Sequence, residues 1–448
     1  MALIKEELKI SKLGEILDRN LALPTYQRPY SWTIKSTNTL FNDTYEAFKN
    51  RIDEYRLGTV ILHKKNDSQI YNIVDGQQRI TTLSILMYCL GDTRQALLNA
   101  KYSTLSNDAI VTNFSVLFRR VKELTYEECK GYKEYLLNKC TIVQIVTNSE
   151  QEAFQFFDSQ NSRGKELAPH DLLKSYHLRE MNDEDESEKI KIINHWENMN
   201  QNDLQKLFKN YLYPLTRWYK GKDGLDYSSN KIDSFKGIKL ENAYNYSIYH
   251  KASNLFIEQF NNSGNNELLG IKSLNQFQLN QPIIAGKRFF NYTFHYEQLL
   301  RKIQKQLNEF YYKNKVTIND SRDITINEFL PSKRSGDIYV KNLYECALLF
   351  FVDRFGINSL TDSVIKQLYS WSYSLRLTME LVYKETINKY SKGEHERVNY
   401  GINIFSLISD MAYPEELNLI VFENPNINEK NKEKYKEVYK LIYSWNRW

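Results

Sequence analysis

Five consecutive residues, Asp75-Gly76-Gln77-Gln78-Arg79, place a carboxylate, a glycine, two amides and a guanidinium at one turn of the chain. They follow the run Ile70-Tyr71-Asn72-Ile73-Val74 and precede Ile80, Leu83, Ile85, Leu86 and Leu90. That order predicts strand, turn, helix. The start of a helix leaves main-chain N–H groups unpaired and carries partial positive charge, so it suits an anion. Gly76 lets the backbone approach a phosphate with no Cβ in the way. Arg79 falls in the first turn, where a guanidinium forks onto phosphate oxygens. Gln77 and Gln78 offer neutral amides to orient a water or a ribose. Asp75 would repel phosphate, and a role through Mg²⁺ or as a helix cap suits it better. Read alone, Asp-Gly before a helix is also an ordinary turn, and both readings stand at this point.

Two further segments have compositions suited to the same ligand. Tyr26-Gln27-Arg28-Pro29-Tyr30-Ser31-Trp32 gathers an amide, a guanidinium and three aromatic rings in a proline-fixed loop. It would clamp a base between rings while Arg28 meets phosphate, or else Tyr30 and Trp32 simply fill core. Asn161-Ser162-Arg163-Gly164 follows Phe154, Phe156 and Phe157. It reads as a third polar wall of the pocket or as a helix end with Gly164 in the left-handed position.

The elements that must carry these residues follow from periodicity. Residues 5–19 read as an amphipathic helix, 21–24 as extended and 36–50 as helix. Strands are expected over 57–62 and 70–74, joined by a short turn as a hairpin, with helix from 77 to 90. A third strand over 141–146 leads to a helix near 150–159 and another over 168–179. The acidic run 182–186 has no apolar face and reads as a solvated linker. Beyond it the pattern is mainly helical: 188–220, 243–261, 291–312, 337–356, 360–389, 398–412 and a tail from 424. The expected class is α+β, a small mixed sheet with helices followed by a mainly α-helical region. The expected divisions are 1–180, 181–330 and 331–448.

At 448 residues the chain exceeds one compact core. Net charge of +5 permits a nucleic-acid partner without demanding one. The 33 tyrosines accompany abundant Lys, Asn and Ile, which fits AT-rich coding, and their spacing marks no base-stacking surface. Cys89, Cys129, Cys140 and Cys346 form neither a CxxC pair nor a zinc spacing, so reduced thiols in a cytoplasm are expected. The N-terminus is no signal peptide, and no run approaches the about 18 apolar residues of a membrane span. His170 and His177 share one helix face without a third ligand. Lys287-Arg288 and Lys333-Arg334 are small basic pairs, read first as solvated surface.

Taken in order, YQRPYSW, LGTVIL, IVDGQQRITTL and FFDSQNSRGKELAPHDLLKSYHLREM resemble the N-terminal DGQQR domain of the GmrSD-type restriction family, over residues from about 1 to 180. The resemblance implies a ParB/sulfiredoxin-like nucleotide-binding fold. It also implies one nucleoside-triphosphate pocket, with Mg²⁺, built from Tyr26, Gln27, Arg28, Asp75, Gly76, Gln77, Gln78, Arg79, Asn161, Arg163 and Gly164. Asp75, Gln77, Gln78 and Arg79 would be its catalytic members and Asp75 its metal ligand. It implies a nucleotide-hydrolysing subunit of a DNA-restriction or phage-defence system, with DNA and a separate nuclease or effector subunit as partners, no membrane, and a homo-oligomer allowed. The alternatives are a non-catalytic, nucleotide-switched module that binds DNA or protein, and a nuclease with an unrecognised C-terminal site. Many relatives carry an HNH-type nuclease domain marked by His-x-x-Pro. None of His63, His170, His177, His195, His250, His295 and His395 has proline three residues on. His395, the nearest imitation, reads as a solvated loop residue, so the chain alone is expected not to cleave DNA.

Overall fold

The computed structural model describes residues 8–24, 27, 29–64, 68–102, 104–149, 152–153, 168–181, 186–263, 273–313, 316–318, 322–324 and 335–446. By its internal contacts the chain divides into two units, Met1–Leu167 with Asp185–Asn198, and Ala168–Glu184 with Met199–Trp448.

The first unit opens with β1 (Lys9–Lys12), α1 (Leu13–Leu17), β2 (Leu21–Ala22) and α2 (Ile34–Lys49). β3 (Tyr55–His63) and β4 (Tyr71–Asp75) follow as the expected hairpin, and α3 (Gln77–Cys89) leaves β4 through Gly76. α4 (Thr104–Lys122) and α5 (Tyr126–Lys139) precede β5 (Cys140–Thr147). The strands form one mixed sheet in the order β1-β5-β3-β4-β2. β5 runs parallel to β3, and β2 parallel to β4. β1 is antiparallel to β5, as β3 is to β4.

Successive strand residues face opposite sides of a sheet, and here both sides are apolar. Val60, Leu62, Ile73, Ile142 and Val146 join the helices α1 to α5 in the main core. Ile61, Val74 and Ile145 form a second cluster with Ala153. α3 is buried almost all round, with only Arg79 interrupting a buried run from Gln77 to Met87. A helix apolar on most sides belongs inside a domain. Burying its Ile80, Leu83 and Leu86 contributes about 1.5–3 kcal/mol each.

The first expected helix is corrected. Lys9–Lys12 is a strand and the helix shrinks to Leu13–Leu17. Leu8 and Ile10, two members of the apparent apolar stripe, are more than half exposed. The reason is pairing: Lys9 to Lys12 fill the outer edge of β5, and buried Ser11 donates from Oγ to Gln144 Oε1 at 3.3 Å. Satisfying a ladder of backbone groups outweighs the helical period there.

The second unit is mainly helical, with its longest helices at Asn245–Asn262, Lys287–Lys313, Ser335–Phe355 and Asp362–Thr378. Between helices Gln201–Lys206 and Tyr213–Trp218 the chain makes a π-helical turn, Leu207–Leu212. A two-stranded hairpin, Val316–Ile318 with Arg322–Ile324, is a small addition that periodicity did not predict. All four cysteines are free. Among the described residues no helix is long and apolar enough to cross a membrane.

Candidate functional site

β4 delivers Asp75 to the sheet's end opposite Ile61 of β3. Gly76 then turns the chain at φ +92° and serves as the N-cap of α3. Gly76 thus occupies the N-cap position of α3, directly after Asp75. A Cβ on Gly76 would stand 2.7 Å from Val60 Cγ2. Two demands thus meet at this residue, a left-handed backbone and close packing on β3, and glycine alone meets both.

Arg79, in the first turn, folds back over β3. Its Nη1 donates to Thr59 O at 2.9 Å, and the guanidinium lies over Gly58, where a Cβ would come within 3.2 Å of Nη1. Gly58 has φ +102° and sits at the register shift of the β3–β5 pairing. This bulge makes the room that Arg79 occupies. Burial lowers the Arg79 pKa from its ordinary value, and the nearby Asp75 carboxylate opposes that shift. Gly58 and Thr59 were not among the expected site residues. The available signal was the lone glycine inside a strand pattern, which points to a bulge or a close approach.

The two glutamines of the turn differ. Gln78 is buried, and both ends of its amide are engaged: Oε1 accepts from Ser31 N at 2.9 Å and Nε2 donates to Pro29 O at 3.1 Å. Gln77 is equally buried, yet its Oε1 has no hydrogen-bond partner among the described residues. Gln27 donates from Nε2 to Ile73 O at 2.9 Å and to Val74 O at 2.7 Å, so its side chain continues the outer edge of β4 where β2 stops. Tyr30 is fully buried, its hydroxyl bonded to Thr82 Oγ1 at 2.8 Å and to Asn113 Nδ2 at 3.0 Å. That ring is core. The structure therefore brings Gln27, Asp75, Gly76, Gln77, Gln78 and Arg79 together at the β4–α3 junction. Tyr26, Arg28, Asn161, Arg163 and Gly164 lie outside the described residues.

Residues 11–178 match the model of the GmrSD restriction endonuclease N-terminal domain. This is a GmrSD-type domain. Residues 188–437, more than half of the chain, match a family of unknown function (DUF7834), and the chain belongs to it. Comparison with curated proteins gives no match. Within the GmrSD-type domain the junction described above holds every described residue of the expected pocket.

The histidines of the second unit hold structure. His177 is buried and stacks on Phe289 with centroids 3.8 Å apart. Its Nε2–H donates to Phe235 O at 3.0 Å and its Nδ1 accepts from Gly286 N at 3.1 Å, which fixes the tautomer. Burial pushes its pKa down to about 3. His395 is corrected: it is buried, not solvated, and packs edge-on against Tyr390. The turn from Ser391 to Ile402 folds back through Gly401 N to Gly393 O at 2.8 Å and draws it inward. Arg288 is paired with Glu258 at 2.6 Å, while Lys333 and Arg334 lie outside the described residues. Among the described residues no group of three His, Cys, Asp or Glu side chains is placed to hold a metal.

Proposed function

We propose that the GmrSD-type domain binds the phosphates of a nucleoside triphosphate at the β4–α3 junction, and that the chain is the nucleotide-hydrolysing subunit of a restriction or phage-defence system. The observation that carries this reading is the glycine N-cap of α3: Gly76 brings no side chain of its own over the first-turn N–H groups, and Arg79 stands in that same turn. A helix start left in that state attracts an anion.

The remaining groups fit a nucleotide with Mg²⁺. Asp75 supplies one carboxylate, and Mg²⁺ is commonly held by one or two carboxylates together with substrate phosphates. The unpartnered, buried Oε1 of Gln77 suits a ribose hydroxyl or a metal-bound water. When bound, the metal would neutralise phosphate charge. Arg79 offers the rest of its guanidinium to a phosphate while Thr59 O holds one end. Gln78 and Gln27 act as positioning residues, Gln27 bonding to β4 and Gln78 holding Pro29 and Ser31 on α3. DNA and a separate nuclease subunit are the partners this reading calls for.

The test titrates ATP, GTP, CTP and UTP into the purified chain with and without Mg²⁺ and follows phosphate release. Arg79→Ala is expected to weaken binding by about 1.5–3 kcal/mol, the range for a charge-assisted hydrogen bond. Unchanged affinity in a folded variant refutes the phosphate assignment. Binding without phosphate release leaves a nucleotide-switched module in place of a hydrolase.

A further inference from the structure

The second unit contains a cavity of about 700 Å³ that the nucleotide-phosphate site does not use. Leu207, Asn210 and Tyr211 of the π turn line one side and face helix Ser335–Phe355. A π turn inserts a residue into the helical circuit and re-aims its side chains, and such turns recur at functional sites.

The floor of the cavity is acidic. Asp337 is buried, and its Oδ1 accepts from Arg376 Nε at 2.6 Å and from the Tyr435 hydroxyl at 3.1 Å. Its Oδ2, buried as well, has no hydrogen-bond partner among the described residues. Two helical turns on, buried Glu345 accepts from the Tyr211 hydroxyl at 2.6 Å, and burial raises its pKa. Tyr373 completes the floor. Its ring is buried and lines the same cavity. The lining also holds the amides of Asn210 and Asn342 and three exposed cations at the mouth, Lys206, Arg301 and Lys341, the last with its Nζ 3.9 Å from Glu345 Oε1.

These layers constrain an occupant. The floor asks for N–H donors, the wall for an edge with both donors and acceptors, and the mouth for an anion. A polyamine satisfies the floor but sets its own charges against three cations. A purely apolar ligand leaves the buried carboxylates unmet. We infer that this cavity binds a nucleotide whose base carries an exocyclic amine, with the base inward and the phosphate at the mouth. Glu345, one helical turn from Lys341 and Asn342, accepts from the amino group, as carboxylates do from cytosine N4. Asn210 and Asn342 read the adjoining ring atoms, and Lys206, Lys341 and Arg301 take the phosphate. Asp203 and Glu297, which pair with Lys206 and Arg301 at the mouth, form surface ion pairs of little strength that a phosphate displaces. This site is separate from the Gly76 site and selects by base, where that one grips phosphate.

The test is calorimetric titration of the full chain with CMP, AMP, GMP, UMP and TMP, and with single-stranded trinucleotides of cytosine or thymine. At least one amino-bearing ligand is expected to bind roughly tenfold tighter than UMP and TMP, the discrimination that a well-placed base contact gives. Asn342→Leu and Lys341→Met should each weaken that binding about tenfold, with melting temperature unchanged, and Arg79→Ala should leave it intact. Binding of the cytosine trinucleotide alone would mean that the base arrives within a strand, and binding of a monophosphate that it arrives free. Either supports the site. No preference for an amino-bearing base overturns the inference. So does binding that survives Asn342→Leu and Lys341→Met, or that Arg79→Ala abolishes. Failure of the Gly76 reading would appear instead in the triphosphate titration, which these two variants do not touch.

Discussion

Replacing Gly76 by alanine should destabilise the β3–β4–α3 junction by an amount that separates into two parts. At φ +92° an alanine carries a backbone penalty of about 1–2 kcal/mol. The new Cβ also meets Val60 Cγ2 at 2.7 Å. Val60 is fully buried in the main core and has little room to give, so overpacking adds about 1–3 kcal/mol. Gly91 provides the control. Its φ is +81° with nothing within 4 Å of an added Cβ, so Gly91→Ala carries the backbone penalty alone. Val60→Ala removes the offending methyl, and the next atoms, Thr59 O and Val60 Cα, lie at 3.5 Å, an ordinary contact. In the Val60→Ala background, Gly76→Ala should therefore cost no more than Gly91→Ala, a coupling of about 1–3 kcal/mol. Hydrogen–deuterium exchange of peptides spanning 55–90 in the full chain reads this locally. The single variant should exchange roughly thirty- to a few-thousand-fold faster, up to the limit of global opening. Strictly additive penalties across the cycle would show that Val60 does not confine Gly76, and the account of the turn would fail.

Gln78→Leu removes both bonds between α3 and the segment at Pro29–Ser31. A cost of about 2–3 kcal/mol is expected, seen as faster exchange and proteolysis across 27–33 while α3 stays protected. Equal loss of protection in α3 would refute the latch. For His177 the sign is fixed by its depressed pKa. Between about pH 6.5 and 3 the unfolded chain binds a proton that the folded chain refuses, so stability of the second unit falls as pH drops through that window. Nitrogen NMR of His177 should show a protonated Nε2, a bare Nδ1 and no titration between pH 5 and 8. A midpoint near 6.5 would contradict the burial assigned to it.

Much of the first unit was legible because two patterns met at one glycine. Leu57–Leu62 and Ile70–Val74 are short apolar, β-branched runs bounded by polar turns, the run after Gly76 repeats at helical spacing, and the junction fell where expected. The first helix was misread because Leu8, Ile10, Leu13 and Leu17 satisfy a helical pattern, while the need to pair β5 lies more than a hundred residues away. Long-range pairing leaves no trace in a local window. The helices Thr104–Lys122 and Tyr126–Lys139 carry no chemistry-bearing motif, yet they complete the core. At the site, residue types showed which groups were present but not their partners. Gln78 as latch, Gln27 as a substitute for strand pairing, and Gly58 as the space for Arg79 follow only from the folded arrangement. Charge around His395 suggested a solvated loop, but a backbone bond between Gly393 and Gly401 turns it inward.

The sheet order has a consequence for how the protein is made. β3 lies at the centre, with β4 on one side and β5 on the other, and about 65 residues separate the end of β4 from the start of β5. At roughly 5–20 residues per second of synthesis, the nascent hairpin waits roughly 3–13 s with one flank of Tyr55–His63 unpaired. β1 waits longer still, because the strand it pairs with is that same β5. During that interval Val60, Ile61 and Leu62 form an apolar edge open to other chains, the kind of edge that seeds aggregation. The step that closes the sheet is the arrival of Cys140–Thr147, so translation speed between residues 76 and 140 sets how long the growing chain depends on chaperones.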